Sequence, residues 1–291
     1  RRNCLNGGTA MEYGHITREQ ITGFARRLRE EERSGGTVEN YTRSVREFAA
    51  WLGAGAVEAE SAGRWKDALL ERGLAPSTIN NKLAALNRFF RFLGWEGCAA
   101  RPLRLQKRLF RAQDLELSRA EYGRLLSAAR NLGRERLCLL MEAVCATGIR
   151  VSEVKYLTVE AARRGRAEIS LKGKIRTILI PGKLCKKLLQ YARAQKTASG
   201  EIFLTRSGRG ISRKQIWAEM KGVCRAAGVA PSKVFPHNLR HLFARTFYQA
   251  SRDVVRLADV LGHSSVETTR IYLISTGAEH ARQLARLGLI S

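Results

Sequence analysis

The stretch LGHSSVETTRIYL, from Leu261 to Leu273, places His263 nine positions before Tyr272. Polar residues dominate between the two, and the spacing predicts a short polar helix. A tyrosine there can simply pack against the core, or its hydroxyl can serve a chemical purpose. Because a phenol is a weak nucleophile at its ordinary pKa of about 10, a chemical role requires neighbouring cations or a base.

Cationic and imidazole side chains of that kind occur upstream. His237 and Arg240 stand at positions i and i+3 of a predicted helix that is entered after Pro236, so both project from one face. Arg150 follows a Thr-Gly turn at a helix start. Arginines bind phosphate bidentately and stabilise the extra charge of a phosphoryl-transfer transition state. Together with Tyr272, these residues indicate chemistry on a phosphate ester.

Each residue also has a structural explanation when it is taken alone. Arg150 can pair with Glu153, three residues on, and His237 can cap its helix. His263 can close a turn, and Tyr272 can lie in the core. Only their order and spacing in combination favour a catalytic role over these structural explanations.

Motifs for nucleotide and metal chemistry are absent from the sequence. It contains no GxxxxGK[ST] loop, no GxGxxG after a strand and no HExxH pair. Six cysteines are scattered without a CxxC pair, which is typical of reduced packing residues. We therefore expect neither a cofactor nor a metal site.

The charge of the chain points to a polyanionic partner. Its 291 residues include 52 Lys and Arg against 26 Asp and Glu, for a formal net charge of +26. Nucleic acid is the favoured partner, because neutralising its phosphates releases counterions. Ribosomal proteins and heparin binders share this composition, so charge alone predicts a class of partner and no activity.

No apolar run reaches the roughly 18 residues of a membrane span, and no secretory signal is evident. We therefore expect no membrane association and a cytoplasmic location, at the bacterial nucleoid.

Helical periodicity divides the chain into four segments. We expect a flexible leader over residues 1–14, a four-helix bundle over 15–97, a basic linker over 98–116 and a second domain over 117–291. In the second domain, RAEISLKGKIRTILIPG alternates branched apolar and polar residues around a turn, as a β-hairpin does. The predicted fold class is mainly α, with a small antiparallel sheet in an α-rich second domain.

Capping residues mark several helix starts. Thr17 with Gln20 and Ser118 with Glu121 fit capping boxes. Ser77 is the predicted N-cap of the fourth helix.

Three segments resemble the signature of the tyrosine recombinase (lambda integrase, Xer-like) family. They are ATGIRVSEV, HNLRHLFA and LGHSSVETTRIY, read as TGxRxxE, HxxR and LGHxxxxTxxY. The 23 positions from Arg240 to His263 and the nine to Tyr272 also fit that family. The resemblance extends from about residue 15 to 285, and implies that the N-terminal bundle is a SAM-like core-binding domain and the second domain is catalytic.

The resemblance implies roles for the matching residues. Arg150 and Arg240 would clamp the scissile phosphate, with Glu153 orienting them. His237 would assist as an acid/base and phosphate ligand, and His263 would hydrogen-bond the phosphate.

Tyr272 would then attack the phosphate, forming a 3′-phosphotyrosyl bond and freeing a 5′-hydroxyl. The family's general acid is a hairpin lysine, which leaves Lys172 or Lys174 here. We choose Lys172 because it precedes the glycine, as the family lysine does. Departures from the pattern at Leu273 and at Ser170–Leu171 put the subgroup in doubt rather than the activity.

Both domains would hold double-stranded DNA at inverted-repeat core sites. Arg43, Asn80, Lys82 and Lys174 are the candidate DNA-binding residues; the first three lie off the apolar stripes of the second and fourth helices, and a solvated face is the competing interpretation. The closing segment AEHARQLARLGLIS is amphipathic. It can pack on its own domain or be exchanged with the next protomer in a homo-tetramer, and we favour exchange.

The function expected from the resemblance is site-specific recombination or integration through a Holliday junction. The alternatives are a type IB topoisomerase-like enzyme that relaxes DNA, and a catalytically silent DNA-binding accessory factor.

Overall fold

Two units follow one another along the chain, Arg1–Lys107 and Arg108–Ser291. The computed structural model describes residues 12–105, 115–171, 174–263, 265–270 and 272. The division between the units falls inside the segment expected to be a linker.

Four amphipathic helices form the N-terminal unit: α1 (Arg18–Glu30), α2 (Gly35–Leu52), α3 (Ser61–Glu71) and α4 (Pro76–Leu93). Aromatic side chains fill the space between them. Phe48 of α2 meets Trp65 of α3 and Phe90 of α4 edge to face, at centroid distances of 5.3 and 5.8 Å. Edge-to-face packing adds to the burial of apolar area, so this cluster holds three helices together.

A short antiparallel sheet ties the beginning of the described chain to the bundle. Strand β1 (Glu12–Gly14) pairs with β2 (Val57–Glu58), which connects α2 and α3. Residues 12–14 therefore belong to the fold, although they were expected to end a flexible leader. Strands of two and three residues are too short for an alternating pattern to predict them.

Two asparagines of α4 hold the chain that leaves this bundle. After a 3₁₀ turn at Glu96–Cys98, the Asn87 amide donates to the carbonyl of Ala100 at 2.9 Å and accepts from its N–H at 3.1 Å. Asn80 does the same with Leu103, at 2.9 and 2.8 Å. Residues up to 103 thus pack on the bundle, although the linker was expected to begin at residue 98.

The C-terminal unit is an assembly of helices around one hairpin. Its helices are α5 (Arg119–Asn131), α6 (Glu135–Thr147), α7 (Val159–Arg164), α8 (Gly182–Ala194), α9 (Arg213–Lys221), α10 (Cys224–Ala227), α11 (Pro236–Ser251), α12 (Val254–Leu261) and α13 (Val266–Arg270). A 3₁₀ segment spans Val151–Tyr156. Ser118 begins α5 with the predicted capping box.

The hairpin consists of β3 (Arg166–Leu171) and β4 (Lys174–Leu179), with Arg166 opposite Leu179. Ala167, Ile169 and Ile178 are buried, as the alternating pattern predicts. The predicted fold class, mainly α with a small antiparallel sheet, is confirmed.

The described cysteines Cys98, Cys138, Cys145, Cys185 and Cys224 are free thiols. No helix within the described ranges combines the length and the hydropathy of a membrane-spanning segment.

Two neighbouring leucines of α3 provide a matched test of the N-terminal core. Leu69 is 1% exposed and Leu70 is 41% exposed. Leu69→Ala should lower the free energy of unfolding by about 2–5 kcal/mol, because it leaves a cavity among aromatic rings, and Leu70→Ala should lower it by less than half as much. Urea unfolding followed by tryptophan fluorescence measures both values, since Trp51, Trp65 and Trp95 all lie in this unit. Equal losses would contradict the packing described.

Candidate active site

A tight turn after α6 presents Arg150. Helix α6 ends at Gly148 with φ +63°, and a Cβ there would lie 2.4 Å from the ring of Phe243. Arg150 then begins the 3₁₀ segment, in which Glu153 is buried. The Glu153 carboxylate accepts from the Arg150 backbone N–H at 2.9 Å and from its Nη1 at 3.0 Å. One carboxylate therefore caps the turn and orients the arginine.

Helix α11 carries His237 and Arg240 in its first turns. Pro236 occupies the first helical position, where its missing N–H has no helical partner to lose. His237 is exposed, whereas Arg240 is only 1% exposed. A buried guanidinium is tolerated when acceptors surround it.

Arg240 has acceptors on every side. Its Nη1 donates to the carbonyl of Gly148, and its Nη2 donates to the carbonyl of Leu261 at 2.8 Å. Nη2 also lies 3.0 Å from His263 Nε2, and Nε donates to the Tyr272 hydroxyl at 3.4 Å. Burial lowers the pKa of Arg240, and the hydrogen bond to Tyr272 acts in the opposite direction. This guanidinium joins all three signature segments.

His263 lies in the turn that follows α12. Burial, reinforced by Arg240, lowers the pKa of His263 to about 4, so the ring is neutral at pH 7. Because a guanidinium only donates, Nε2 must accept from Arg240 and Nδ1 must carry the proton. Nδ1 lies 2.9 Å from the Thr269 hydroxyl, which can accept that proton's hydrogen bond.

Tyr272 is 4% exposed and packs with Leu257 and Leu261. Its ring centroid lies 5.6 Å from that of His263, at an interplanar angle of 20°, and 5.7 Å from that of His237. The Arg240 guanidinium faces its hydroxyl oxygen. His237, Arg240, His263 and Tyr272 thus form one contacting cluster, and the Arg150–Glu153 pair joins it through Arg176, which contacts Glu153 and the Leu261 carbonyl.

Several residues of this region were missed by the sequence analysis. His241 packs its ring 4.3 Å from Tyr272, and Arg176 of β4 lies 3.4 Å from Glu153 Oε2. A cleft of about 830 Å³ is lined by Arg150, His237 and Arg240 together with side chains of α9: Arg213, Lys214 and Trp217. The sequence pattern that could have identified the α9 residues is a basic pair close to a tryptophan on a polar helix.

The candidate general acids are two lysines of the hairpin segment, Lys172 and Lys174. Lys172 lies outside the described residues, and Lys174 opens β4 opposite Leu171. The choice between the two stays a prediction.

The N-terminal candidates for DNA contact are already engaged. Arg43 is exposed and donates to Asn40 at 2.7 Å, whereas Lys82 forms an ion pair with Glu47. Both polar atoms of Asn80 hold Leu103. A DNA contact by Lys82 or Asn80 would compete with these interactions, so all three assignments stay predictions.

In the described part of the chain, no group of three or more His, Cys, Asp and Glu residues is placed to hold a metal ion.

Family models and curated relatives agree on the class of protein. The phage integrase family model matches residues 116–279, and the model for the N-terminal SAM-like domain of phage integrases matches residues 21–97. Tyrosine recombinase XerA of Thermococcus kodakarensis is 31% identical over 275 residues, covering 91% of this chain and 93% of that protein. Tyrosine recombinase XerD of Brucella suis is 32% identical over 269 residues, covering 81% and 85%.

The chain therefore belongs to the phage integrase family of tyrosine recombinases, enzymes that break and rejoin DNA. The same fold is found in a lambda integrase tetramer bound to a Holliday junction. That likeness has a TM-score of 0.71 at 17% identity and covers 90% of this chain and 78% of that one.

The neutral state of His263 has a measurable consequence. Since its pKa of about 4 lies below the ordinary 6.5, the unfolded chain binds more protons between these pH values. Stability should therefore fall as pH drops from about 6.5 to 4, and the fall should be shallower in His263→Gln. Urea midpoints of both proteins at pH 7, 5.5 and 4.5 measure the difference, and parallel curves would show that His263 does not contribute.

Proposed function

We propose that this chain is a site-specific recombinase that cleaves and rejoins double-stranded DNA through a covalent bond to Tyr272. The observation that carries the proposal is the hydrogen bond from Arg240 to the Tyr272 hydroxyl, made by a guanidinium that also contacts His263. It brings a nucleophile, a phosphate-binding cation and an imidazole together, as transfer of a phosphoryl group to a phenol requires.

The chemical steps balance without a cofactor. The Tyr272 oxygen attacks the phosphorus as its proton passes to His237, and a 3′-phosphotyrosyl bond forms. The bond from phosphorus to the 5′-oxygen breaks, and Lys172 protonates that oxygen to give a 5′-hydroxyl. Arg150 and Arg240 stabilise the added charge on the non-bridging oxygens.

Rejoining is the reverse reaction with a 5′-hydroxyl from a second duplex. One phosphodiester replaces another at each step, so no nucleotide is consumed. Exchange of one pair of strands gives a Holliday junction, and exchange of the second pair resolves it.

The DNA would occupy the cleft beside the signature residues. Arg213 and Lys214 of α9 line the same cleft and would contact phosphates there, and Trp217, 50% exposed, offers an apolar surface. Arg43, Asn80, Lys82 and Lys174 extend this assignment to the N-terminal unit and the hairpin. The net charge of +26 supplies long-range attraction.

A tetramer on paired inverted-repeat sites is part of the proposal. Likeness to the lambda integrase tetramer on a Holliday junction supports it at the level of the fold. The C-terminal segment that we expect to be exchanged between protomers lies outside the described residues. Because the substrate is DNA, we place the activity in the cytoplasm, at the nucleoid.

The first test asks whether Tyr272 forms the covalent bond. Duplexes selected from a random pool for binding to the chain provide a site, and nicks placed along it turn it into a suicide substrate. The wild type should yield a protein–DNA adduct, and Tyr272→Phe should yield none while it binds the duplex equally well. Tyr191→Phe, which removes a hydroxyl elsewhere in the same unit, is the control and should behave as the wild type.

The alternatives predict other outcomes. Adducts on any sequence with supercoil relaxation and no strand exchange would identify a topoisomerase. Selective binding without any adduct would identify an accessory factor. An adduct that persists in Tyr272→Phe would disprove the assigned nucleophile.

The second test concerns the general acid. Lys172→Ala should slow cleavage of ordinary DNA by about 10²–10⁴-fold, because the 5′-oxygen then leaves unprotonated. Substituting sulfur for the bridging 5′-oxygen should restore the rate, since a thiol of pKa about 8.5 leaves without an acid. Lys174→Ala is the matched control, with equal effects on both substrates. If only Lys174→Ala is rescued by sulfur, Lys174 is the acid.

A further inference from the structure

Arg176 of strand β4 is a largely buried cation without an assigned role. Its side chain is 13% exposed. Its Nη2 lies 3.4 Å from Glu153 Oε2, and its Nη1 donates to the carbonyl of Leu261. Arg176 therefore bridges two elements that are distant in sequence, the 3₁₀ segment after α6 and the end of α12.

Both atoms that Arg176 contacts also hold a signature arginine. Glu153 Oε2 accepts from the backbone N–H of Arg150 at 2.9 Å. The Leu261 carbonyl accepts from Arg240 Nη2 at 2.8 Å. A shift of Arg176 would therefore displace Arg150 through the Glu153 carboxylate and Arg240 through the Leu261 carbonyl.

Gly262 permits this close approach. A Cβ at Gly262 would lie 2.0 Å from Arg176 Cδ, and its φ of +63° is one that side chains rarely adopt. The turn that leads into His263 thus rests directly on the Arg176 side chain. Arg176 belongs to the strand that begins at Lys174, two residues before it. Its side chain therefore connects the hairpin to the Leu261–Gly262 turn.

We propose that Arg176 is a positioning residue that fixes the hairpin, Glu153 and the Leu261–Gly262 turn relative to one another, and so sets the geometry of Arg150, Arg240 and His263. The proposal rests on the proposed function, because that geometry matters for phosphate-ester cleavage. Arg176 itself need not touch the DNA. Its effect on the reaction passes through the residues it contacts.

The test compares two arginines of the same hairpin. Arg176→Met keeps the length of the side chain and removes its charge and donors. Arg166→Met is the matched control, since Arg166 lies on β3 with an exposed side chain. Arg176→Lys is a second variant that keeps a charge for Glu153 and lacks the fork that reaches both acceptors.

Single-turnover cleavage of the selected suicide duplex, at saturating DNA, separates geometry from folding. The adduct amplitude reports the competent fraction, and the rate constant reports the arrangement of the site. Arg176→Met should lower the rate constant by about 100-fold and keep the amplitude. The rate constant of Arg176→Lys should lie between those of Arg176→Met and the wild type. Arg166→Met should have the rate constant of the wild type. Because part of the effect passes through Glu153, the double variant with Glu153→Gln should lose less than the product of the two single losses.

Amide hydrogen exchange of the free protein provides a readout that does not require cleavage. In the wild type the N–H of His263 bonds to Ala258 and that of Gly262 bonds to Asp259. Both amides should exchange about tenfold faster in Arg176→Met, because that variant loses the contact with the Leu261–Gly262 turn. Their exchange rates should not change in Arg166→Met.

The outcomes separate the two proposals. An unchanged rate constant in Arg176→Met, or a loss confined to amplitude, would overturn the positioning role while recombination stands. If the wild type forms no adduct at all, the proposed function fails, and unchanged exchange at Gly262 and His263 then overturns the role of Arg176 as well.

Discussion

The arrangement of the candidate active site depends on the buried guanidinium of Arg240. It is withdrawn from water, and its donors are met by main-chain carbonyls of two turns, by an imidazole and by a phenol. Arg150 and Arg176 add two more cations near a single carboxylate, that of Glu153. The centre therefore carries an excess of positive charge, which favours the binding of a phosphate.

Much of this arrangement follows from local sequence rules. His237 and Arg240 share a helix face because they are three residues apart. The hairpin follows from alternation of branched apolar residues, and Ser118 caps α5 as its capping box predicts. Patterns of this kind depend on neighbours within a few positions, so the sequence contains the whole signal.

Other features depend on partners far along the chain. Asn80 is a predicted DNA contact, and its amide also holds the backbone of Leu103, a contact that helical periodicity does not reveal. Ser77 was expected to cap α4, but the helix begins one residue earlier, at Pro76, without a side-chain cap. Alternation places Arg176 on the buried face of β4 with Ile178, but its partners, Glu153 and the Gly262 turn, lie far along the chain and are not predicted by the pattern.

The two asparagines of α4 have a mechanical consequence. They stand seven positions apart, two turns along one side of a helix, and each holds one residue of the departing chain by both its backbone N–H and its carbonyl. A pulling force transmitted along the chain from its C-terminal side would break the Leu103 hydrogen bonds first and the Ala100 hydrogen bonds second. These four bonds would therefore have to break before the force reached the aromatic core of the bundle.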